Sequence, residues 1–548
     1  HLYTVIIFGA VAMKKHTKSW LNPQAIIAMI ALSLSLNACD TKNNSRNTDG
    51  SENSAKKIHW YEGNLQQAFV DAQENNKPLF LYWGAIWCPP CEELKQTVFK
   101  SPNFIAQTKL FIPVYLDGDT EQAQYWGEKF SVKGYPTMII FNPAGEEVTR
   151  IPGGIDIDRY NTVLALSLNG LKTTSSLIEK ALANSEDLTK DDYTQLAFYS
   201  WDQSNLDLKT SALETSTVAS ATNNTAELLD KLSVGAELNH NSLASSRLFL
   251  QSLVQRIDAH ETLSDQNAEV AYEKLTTILN NQSLVIANLD FSMFWSEEIT
   301  ELITKPSTER INLESLWTNS MENIRFNDSL SKAQQLGTWY PQLYLYWLNN
   351  PTAKALPTDI KNEVIKHVNQ MDQSTNGSAR QTVINKAYQV LQAAHLNDLS
   401  RKLLLDEIKK SDSPYYFMTG LASLEEKEKN YDAAVEWLAS AYDASTGKAT
   451  RFQWGVEYVT GIMRMRPEDV DKISTTTLQL INELDQPIDM LSGRNFKRLT
   501  TLLNNAAIWE TTTQYTAALR DFYGTVATLC NSVAPNSQEE NNCKKLAL

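Results

Sequence analysis

The first part of the chain alternates short apolar runs with segments of helical periodicity. Apolar runs typical of buried strands occur at residues 78–84, 110–117 and 147–151, and a further run ends the segment 132–141. Apolar positions recur at helical spacing in residues 91–98, and helices are also predicted at 121–130 and from about 156 to 171. The pattern indicates strands alternating with helices over residues 58–171.

From residue 172 onward the pattern is helical. Two stretches place apolar side chains at the i, i+3, i+4, i+7 positions of an amphipathic helix: Leu250, Leu253, Val254, Ile257 and Ile384, Ala387, Tyr388, Leu391. Prolines divide the region into helix groups at Pro306, Pro351, Pro414 and Pro467. Several tryptophans are interpreted as helix-packing core rather than a ligand cage: Trp295, Trp317, Trp339, Trp347, Trp437, Trp454. We predict a large all-α domain over residues 172–548.

One segment of this region has a sharper pattern. Residues 430–441 place Ala434, Leu438 and Ala441 at alternating small and large packing positions, and the segment resembles a tetratricopeptide repeat. A stable repeat array needs about three copies. We therefore expect degenerate repeats beside it and predict a helical-repeat-like domain.

The N-terminal segment has the features of an export signal. We place the start of the natural chain at Met13. Basic residues follow it, an apolar run covers residues 25–32, and Leu36-Asn37-Ala38-Cys39 comes after that run. This resembles a bacterial lipoprotein signal over residues 1–39, in which Cys39 becomes the lipidated first residue. A plain signal peptide or an uncleaved anchor helix remains the alternative. Asp40 resembles a signal for inner-membrane retention, and residues 40–57 are polar enough for a flexible tether.

Composition and charge exclude some classes of function. The 548 residues are 42% hydrophobic, enough for a sizeable core, so the chain is not wholly disordered. The net charge is −15, and no cluster of Lys and Arg occurs outside the extreme N-terminus. Because binding to phosphates depends on such clusters, we expect no nucleic-acid partner.

The cysteines indicate an oxidising compartment. If Cys39 carries lipid, the other four form two local pairs. Cys530 and Cys543 lie 13 positions apart, and the default in an exported protein is a structural disulfide, which stabilises by roughly 3 kcal/mol. A second redox-active pair is the alternative.

The other pair lies in Trp87-Cys88-Pro89-Pro90-Cys91, between a predicted strand and a predicted helix. Zinc needs four ligands, and no second Cys/His pair occurs at comparable spacing, so we predict no metal site. At a helix N-terminus the unpaired backbone N–H groups favour a thiolate, which makes Cys88 the predicted nucleophile. Cys91, one turn into the helix, is predicted to resolve the mixed disulfide. Pro89 and Pro90 stiffen the loop.

Together with Gly134-Tyr135-Pro136-Thr137, this motif resembles the thioredoxin superfamily. The resemblance implies an α/β fold with a central mixed sheet flanked by helices. It also implies a cis peptide bond between Tyr135 and Pro136, beside the cysteines, and a free backbone edge for client strands. Trp87, Pro89, Pro90, Tyr135, Pro136 and Thr137 are the implied supporting residues.

The chain departs from the thioredoxin pattern at one position. Thioredoxin has a buried acid six residues before the first cysteine, and this chain has Tyr82 there. Glu92 or Glu93 is a candidate substitute, but we interpret both as charges of the first helical turn, stabilised by the helix dipole.

Two functions follow from these patterns. We predict a membrane-tethered, periplasmic thiol–disulfide oxidoreductase that needs no cofactor, exchanges disulfides with client proteins and is recycled by a membrane redox partner. Cys-Pro-Pro-Cys resembles reductants of the superfamily, whereas Gly134-Tyr135-Pro136-Thr137 resembles protein disulfide isomerase, so the two motifs disagree about redox direction. We expect a reductant rather than an oxidant. The alternative is a helical-repeat scaffold in which the thioredoxin-like module only binds. Intact Cys88 and Cys91 favour the enzyme.

Overall fold

The computed structural model describes residues 57–151, 153, 157–184, 187–203, 218–483, 490–515 and 517–546. The predicted signal, Cys39, Asp40 and all but the last residue of the predicted tether lie outside these ranges. Residues from Ile58 onward form one compact unit. None of the described helices is long and apolar enough to span a membrane.

The N-terminal part of this unit is built on a four-stranded mixed sheet. The strands are β1 (Leu79–Gly84), β2 (Ile112–Asp117), β3 (Thr137–Phe141) and β4 (Glu147–Ile151). Their order is β2-β1-β3-β4, with β1 parallel to β2 and the other pairs antiparallel. The helices of this part are α1 (Leu65–Glu74), α2 (Pro89–Gln96), α3 (Pro102–Thr108), α4 (Glu121–Lys129) and α5 (Ile157–Ser167). The predicted α/β fold is confirmed.

Strand β1 is apolar throughout because helices cover both faces of the sheet. On one face Leu81 and Trp83 pack with Ala68 of α1 and Trp126 of α4. On the other face Phe80, Tyr82 and Ile140 pack with Phe104 of α3 and Tyr160 of α5. Alternate residues of one strand therefore belong to two separate cores.

The rest of the chain is helical, as predicted. Its helices are α6 (Thr174–Asn184), α7 (Lys190–Ala197), α8 (Val218–Leu238), α9 (Ser242–Asp258), α10 (Asp265–Leu279), α11 (Gln282–Ala287), α12 (Leu289–Phe294), α13 (Ser296–Ile303), α14 (Thr308–Ile324), α15 (Lys332–Gly337), α16 (Trp339–Asn349), α17 (Thr358–Gln373), α18 (Arg380–Ala393), α19 (Asn397–Ile408), α20 (Pro414–Lys427), α21 (Tyr431–Ala444), α22 (Lys448–Met465), α23 (Val470–Asn482), α24 (Gly493–Thr513), α25 (Arg520–Ser532) and α26 (Gln538–Cys543).

Helices α6 and α7 continue the core of the sheet. Leu177 and Ile178 of α6 and Leu196 of α7 belong to the same apolar cluster as Phe80 and Ile140. After α7, the backbone N–H of Ser200 donates to the carbonyl of Arg150 at the edge strand β4. The beginning of the helical region is thus joined to the α/β domain through a shared core.

Later helices return to the opposite end of the same domain. Helix α18 contacts α2, and α24 contacts α4. The segment of residues 430–441 covers the N-cap and most of α21, which packs against α20. Its likeness to a tetratricopeptide repeat stays a prediction. The helical region therefore contacts the α/β domain through the shared core of α6 and α7 and again through later helices, among them α18, which contacts the helix of the cysteine motif.

Candidate active site

Cys88 and Cys91 form a disulfide at the start of α2. Cys88 is the N-cap residue with an extended backbone (φ −81°, ψ 112°), and its Sγ accepts a hydrogen bond of 3.2 Å from the N–H of Cys91. Pro89 and Pro90 occupy the first helical turn, where no intrahelical partner for an N–H exists. The local sequence therefore places Cys88 where backbone N–H groups and the helix dipole favour a negative sulfur.

The loop before β3 lies beside this turn. The peptide bond between Tyr135 and Pro136 is cis, and the ring of Tyr135 lies 6.2 Å from that of Trp87. The hydroxyl of Thr137 donates to the carbonyl of Gly134 at 2.7 Å. Gly118 permits the close approach of Tyr135, because a Cβ there would lie 2.4 Å from the phenol oxygen. The structure thus places Tyr135, one of the supporting residues named in the sequence analysis, against Trp87 and the apolar cluster of the two cysteines.

The cysteines are nearly inaccessible. Cys88 is 3% exposed, Cys91 is fully buried, and Trp87 is 6% exposed. They share an apolar cluster with Tyr415 of α20, Ala441 of α21 and Trp454 of α22. We call the helical-region residues that contact the motif the cover, which consists of Gln381, Thr382, Tyr415, Tyr416, Ala441, Thr450, Trp454 and Arg494.

Trp87 is the residue most enclosed by the cover. Its ring is stacked on Tyr416 at 6.1 Å and meets the edge of Trp454 at 5.7 Å. The guanidinium carbon of Arg494 lies 4.9 Å from the Trp87 ring and 4.8 Å from the Tyr135 ring. A positively charged group above two aromatic rings is attracted electrostatically by both of them. Burial lowers the pKa of Arg494, and the nearby Tyr135 and Asp119 oppose that shift.

A polar chain connects the motif to a carboxylate through the cover. The indole Nε1 of Trp87 donates to the hydroxyl of Thr450 at 2.7 Å. That hydroxyl donates to Asp119 Oδ2 at 2.8 Å, and the Thr450 N–H donates to Asp119 Oδ1 at 2.7 Å. Burial raises the pKa of Asp119, and the two hydrogen bonds from Thr450 limit the rise. Gly447, with φ +85°, leaves room for this carboxylate.

The acidic residues after Cys91 differ from each other. Glu92 accepts from Gln96 and lies 3.8 Å from Lys95, so both of these contacts stay within α2. Glu93 instead faces the helical region, where the hydroxyl of Ser331 donates to its Oε1 at 2.5 Å. Burial raises the pKa of Glu93, while Ser331 and the positive charge of Lys386 oppose the rise. We interpreted Glu93 as a charge of the first helical turn, but its side chain interacts with Ser331 and Lys386 of the helical region.

Tyr82, at the position of the buried acid in thioredoxin, is 1% exposed. Its ring is stacked on Tyr115 at 5.4 Å, and burial raises its pKa above the ordinary value for a phenol. Tyr82 is therefore a neutral core residue.

Local sequence patterns do not reveal the cover. Gln381, Thr450 and Arg494 each lie in the first turn of a helix, where polar residues are common. No sequence pattern around them predicts a contact with Trp87. Trp454 was interpreted as helix packing, and it also closes the cysteine site. Among the described residues, no group of three or more His, Cys, Asp or Glu is arranged to hold a metal ion.

Comparison with known proteins agrees with the α/β geometry. Residues 65–167 match the family model described as a thioredoxin-like domain, so this part of the chain is a thioredoxin-like domain, as predicted. Among the relatives that match are three proteins named thiol:disulfide interchange protein DsbD. The one from Photorhabdus laumondii is 30% identical over 107 residues, 19% of this chain and 18% of the relative. The one from Vibrio vulnificus is 34% identical over 107 residues, with the same shares.

The third, from Yersinia pestis, is 27% identical over 168 residues, 29% of this chain and 28% of the relative. The chain thus spans less than a third of the length of these relatives. A solved structure titled DsbH oxidoreductase aligns with 20% of this chain and 84% of its own length, at 18% identity and a TM-score of 0.17. A likeness at that level adds nothing to the fold assignment.

Proposed function

We propose that the protein is a thiol–disulfide oxidoreductase that exchanges disulfides with client proteins through Cys88 and Cys91. The observation that carries this proposal is a disulfide between these residues at the N-terminus of α2 in a thioredoxin-like domain. The name shared by the relatives, thiol:disulfide interchange protein, supports the same chemistry.

The proposed exchange has two steps. The reduced Cys88 thiolate attacks one sulfur of a client disulfide, a mixed disulfide forms, and the other client sulfur leaves as a thiolate. Cys91 then loses its proton and attacks Cys88 Sγ, which releases the second client thiolate. Two electrons pass to the client, and the Cys88–Cys91 disulfide remains. The reverse sequence would oxidise a client dithiol.

We further propose that the protein acts as a reductant in the periplasm, tethered through lipid on Cys39. The export pattern of residues 13–39 and the second cysteine pair support an oxidising compartment. A reductant needs to be reduced again after each turnover, so a membrane redox partner is part of this proposal. The likeness of Cys-Pro-Pro-Cys to reductants of the superfamily supports the direction.

A trapping experiment tests the exchange. The C91A variant, produced in the native host, retains the nucleophile Cys88 but lacks the residue that resolves the mixed disulfide. We expect covalent adducts that disappear on reduction, and mass spectrometry of these adducts identifies clients and the recycling partner. The matched control is C88S/C91A, which should form none of them.

The same experiment separates the enzyme from the predicted scaffold. Absence of adducts in C91A, with a partner still recovered non-covalently by both variants, would contradict exchange and favour the scaffold. Adducts that are identical in the two variants would also contradict the proposal, because they would not depend on Cys88.

A further inference from the structure

We propose that the cover holds Cys88 in a closed resting state, and that exchange with a protein client requires the cover to separate from the α/β domain. This inference rests on the proposed exchange at Cys88 and adds its regulation. The cover belongs to the same chain, so the device is an intramolecular inhibitory contact.

Access to Cys88 is limited in the closed state. The Cys88 thiolate can attack a client disulfide only when a client sulfur comes within bonding distance of Cys88 Sγ. Cys88 is 3% exposed, and Tyr415, Ala441 and Trp454 are in the apolar cluster around it. A sulfur carried on the backbone of another protein has no path to Cys88 while these side chains are in place.

Cover side chains also bind the backbone on both sides of Cys88. Gln381 Nε2 donates to the carbonyl of Trp87 at 3.0 Å, and the hydroxyl of Thr382 donates to the carbonyl of Pro89 at 2.8 Å. A client strand docking next to Cys88 would have to replace these contacts.

The N-terminus of α24 adds further contacts between the helical region and the α/β domain. The N–H of Gly493 donates to Glu128 Oε2 at 2.8 Å, and the N–H groups of Arg494 and Asn495 donate to Gln124 Oε1 at 3.1 and 3.2 Å. The first N–H groups of a helix have no intrahelical partners. Side chains of α4 therefore cap α24 and position Arg494 over Trp87 and Tyr135.

The two attachments of the helical region differ in kind, and this difference makes opening feasible. Helices α6 and α7 share a large apolar core with the sheet. The cover is held by a small aromatic cluster and by hydrogen bonds that water can replace after separation. Polar interfaces between parts of one chain resemble transient protein interfaces. The cover can thus open while α6 and α7 stay in place.

The test measures alkylation of Cys88 in the reduced full chain, with iodoacetamide as the small probe and a maleimide on a long polyethylene glycol as the large one. Peptide mapping assigns the label to Cys88. Two variants weaken different contacts of the closed state. T450V removes the hydroxyl that links Trp87 to Asp119. G493A places a Cβ 2.4 Å from the carbonyl oxygen of Gln124, and the φ of +53° at this residue also disfavours a side chain.

The matched control is G524A, a glycine-to-alanine change in α25 where a Cβ meets nothing within 4 Å. If opening limits the reaction, its rate scales with the open population. We expect T450V and G493A to be labelled at least about tenfold faster than the wild type, and G524A to match the wild type.

Circular dichroism verifies that each variant is folded. A variant that is unfolded is set aside, and the wild type is then compared with its own urea-unfolded form, in which labelling should be at least about tenfold faster.

Equal labelling of the wild type, both variants and the unfolded chain would overturn the closed state. Turnover of a disulfide-bonded protein substrate, measured on the same samples, keeps the two proposals distinct. Faster labelling without turnover in any sample would contradict the proposed exchange and leave the closed state standing. Equal turnover and labelling in the folded wild type, T450V and G493A would contradict only the closed state.

Discussion

The indole nitrogen of Trp87 donates a hydrogen bond of 2.7 Å to the hydroxyl of Thr450, 363 positions further along the chain. This bond joins the residue before Cys88, the proposed nucleophile, to helix α22. The hydroxyl of Thr450 in turn donates to Asp119. The environment of the cysteine pair is therefore made by the thioredoxin-like domain and the helical region together.

Removing the Trp87 donor should weaken this connection. W87F keeps an aromatic ring against Tyr416 and Trp454 but leaves Thr450 without its donor. We expect a loss of about 1 kcal/mol in the free energy of unfolding, measured by urea denaturation, and faster alkylation of Cys88. The matched control is W509F, because Trp509 Nε1 donates at 2.8 Å to Pro467 within the helical region. Similar alkylation rates in the two variants would contradict a role for the Trp87 bond in closing the site.

Glu93 and Lys386 should stabilise each other. Lys386 of α18 is 8% exposed, lies 4.8 Å from the ring of Phe294, and interacts electrostatically with Glu93 of α2. E93Q and K386M each leave one buried charge without its counterpart, so each should lower the free energy of unfolding by about 1–3 kcal/mol. The double variant should lose less than the sum of the two. Additive losses would show that the charges do not interact.

The pH dependence of stability should carry the signature of Lys386. Burial lowers the pKa of its ammonium group from 10.5 to about 8. Between these two values the unfolded chain binds more protons than the folded one, so this residue makes the free energy of unfolding rise with pH across that window. Urea titrations at several pH values should give a less positive slope for K386M than for the wild type. Identical slopes would contradict a lowered pKa.

The disulfide between Cys530 and Cys543 should be structural. It joins α25 to α26, and from α26 Asn542 donates to the carbonyl of Leu491, just before α24, at 2.9 Å. C530S/C543S should lower the free energy of unfolding by roughly 3 kcal/mol while leaving the reduction potential of Cys88–Cys91 unchanged. A large change in that potential would instead indicate that the second pair takes part in exchange.

The sequence was sufficient for the α/β domain because its signals are local. Strand β1 is a continuous apolar run since both its faces are covered, and this run was recognisable at 78–84. Boundaries were less well predicted. Strand β2 begins at Ile112 rather than at 110, because Leu110 lies in a turn and is 54% exposed. Helix α5 ends at Ser167, four residues before the predicted end.

The candidate site was predicted only in its α/β half. Cys88 at the N-cap of α2 follows from the order of an apolar run, two prolines and a helical segment. The contact of Trp87 with Thr450, and that of Glu93 with Ser331, depend on how α14 to α24 return to the domain. That path is set by packing between distant helices, which apolar periodicity within one helix does not encode.

Cys88 and Cys91 should form a reversible redox couple, and a redox titration measures this property. The full chain is incubated to equilibrium in thiol–disulfide buffers of graded potential, and mass spectrometry after alkylation counts the free thiols at Cys88 and Cys91. We predict one two-electron transition, reached from both directions, between roughly −270 and −120 mV. A pair that stays oxidised at potentials below about −300 mV, as structural disulfides do, would contradict the account.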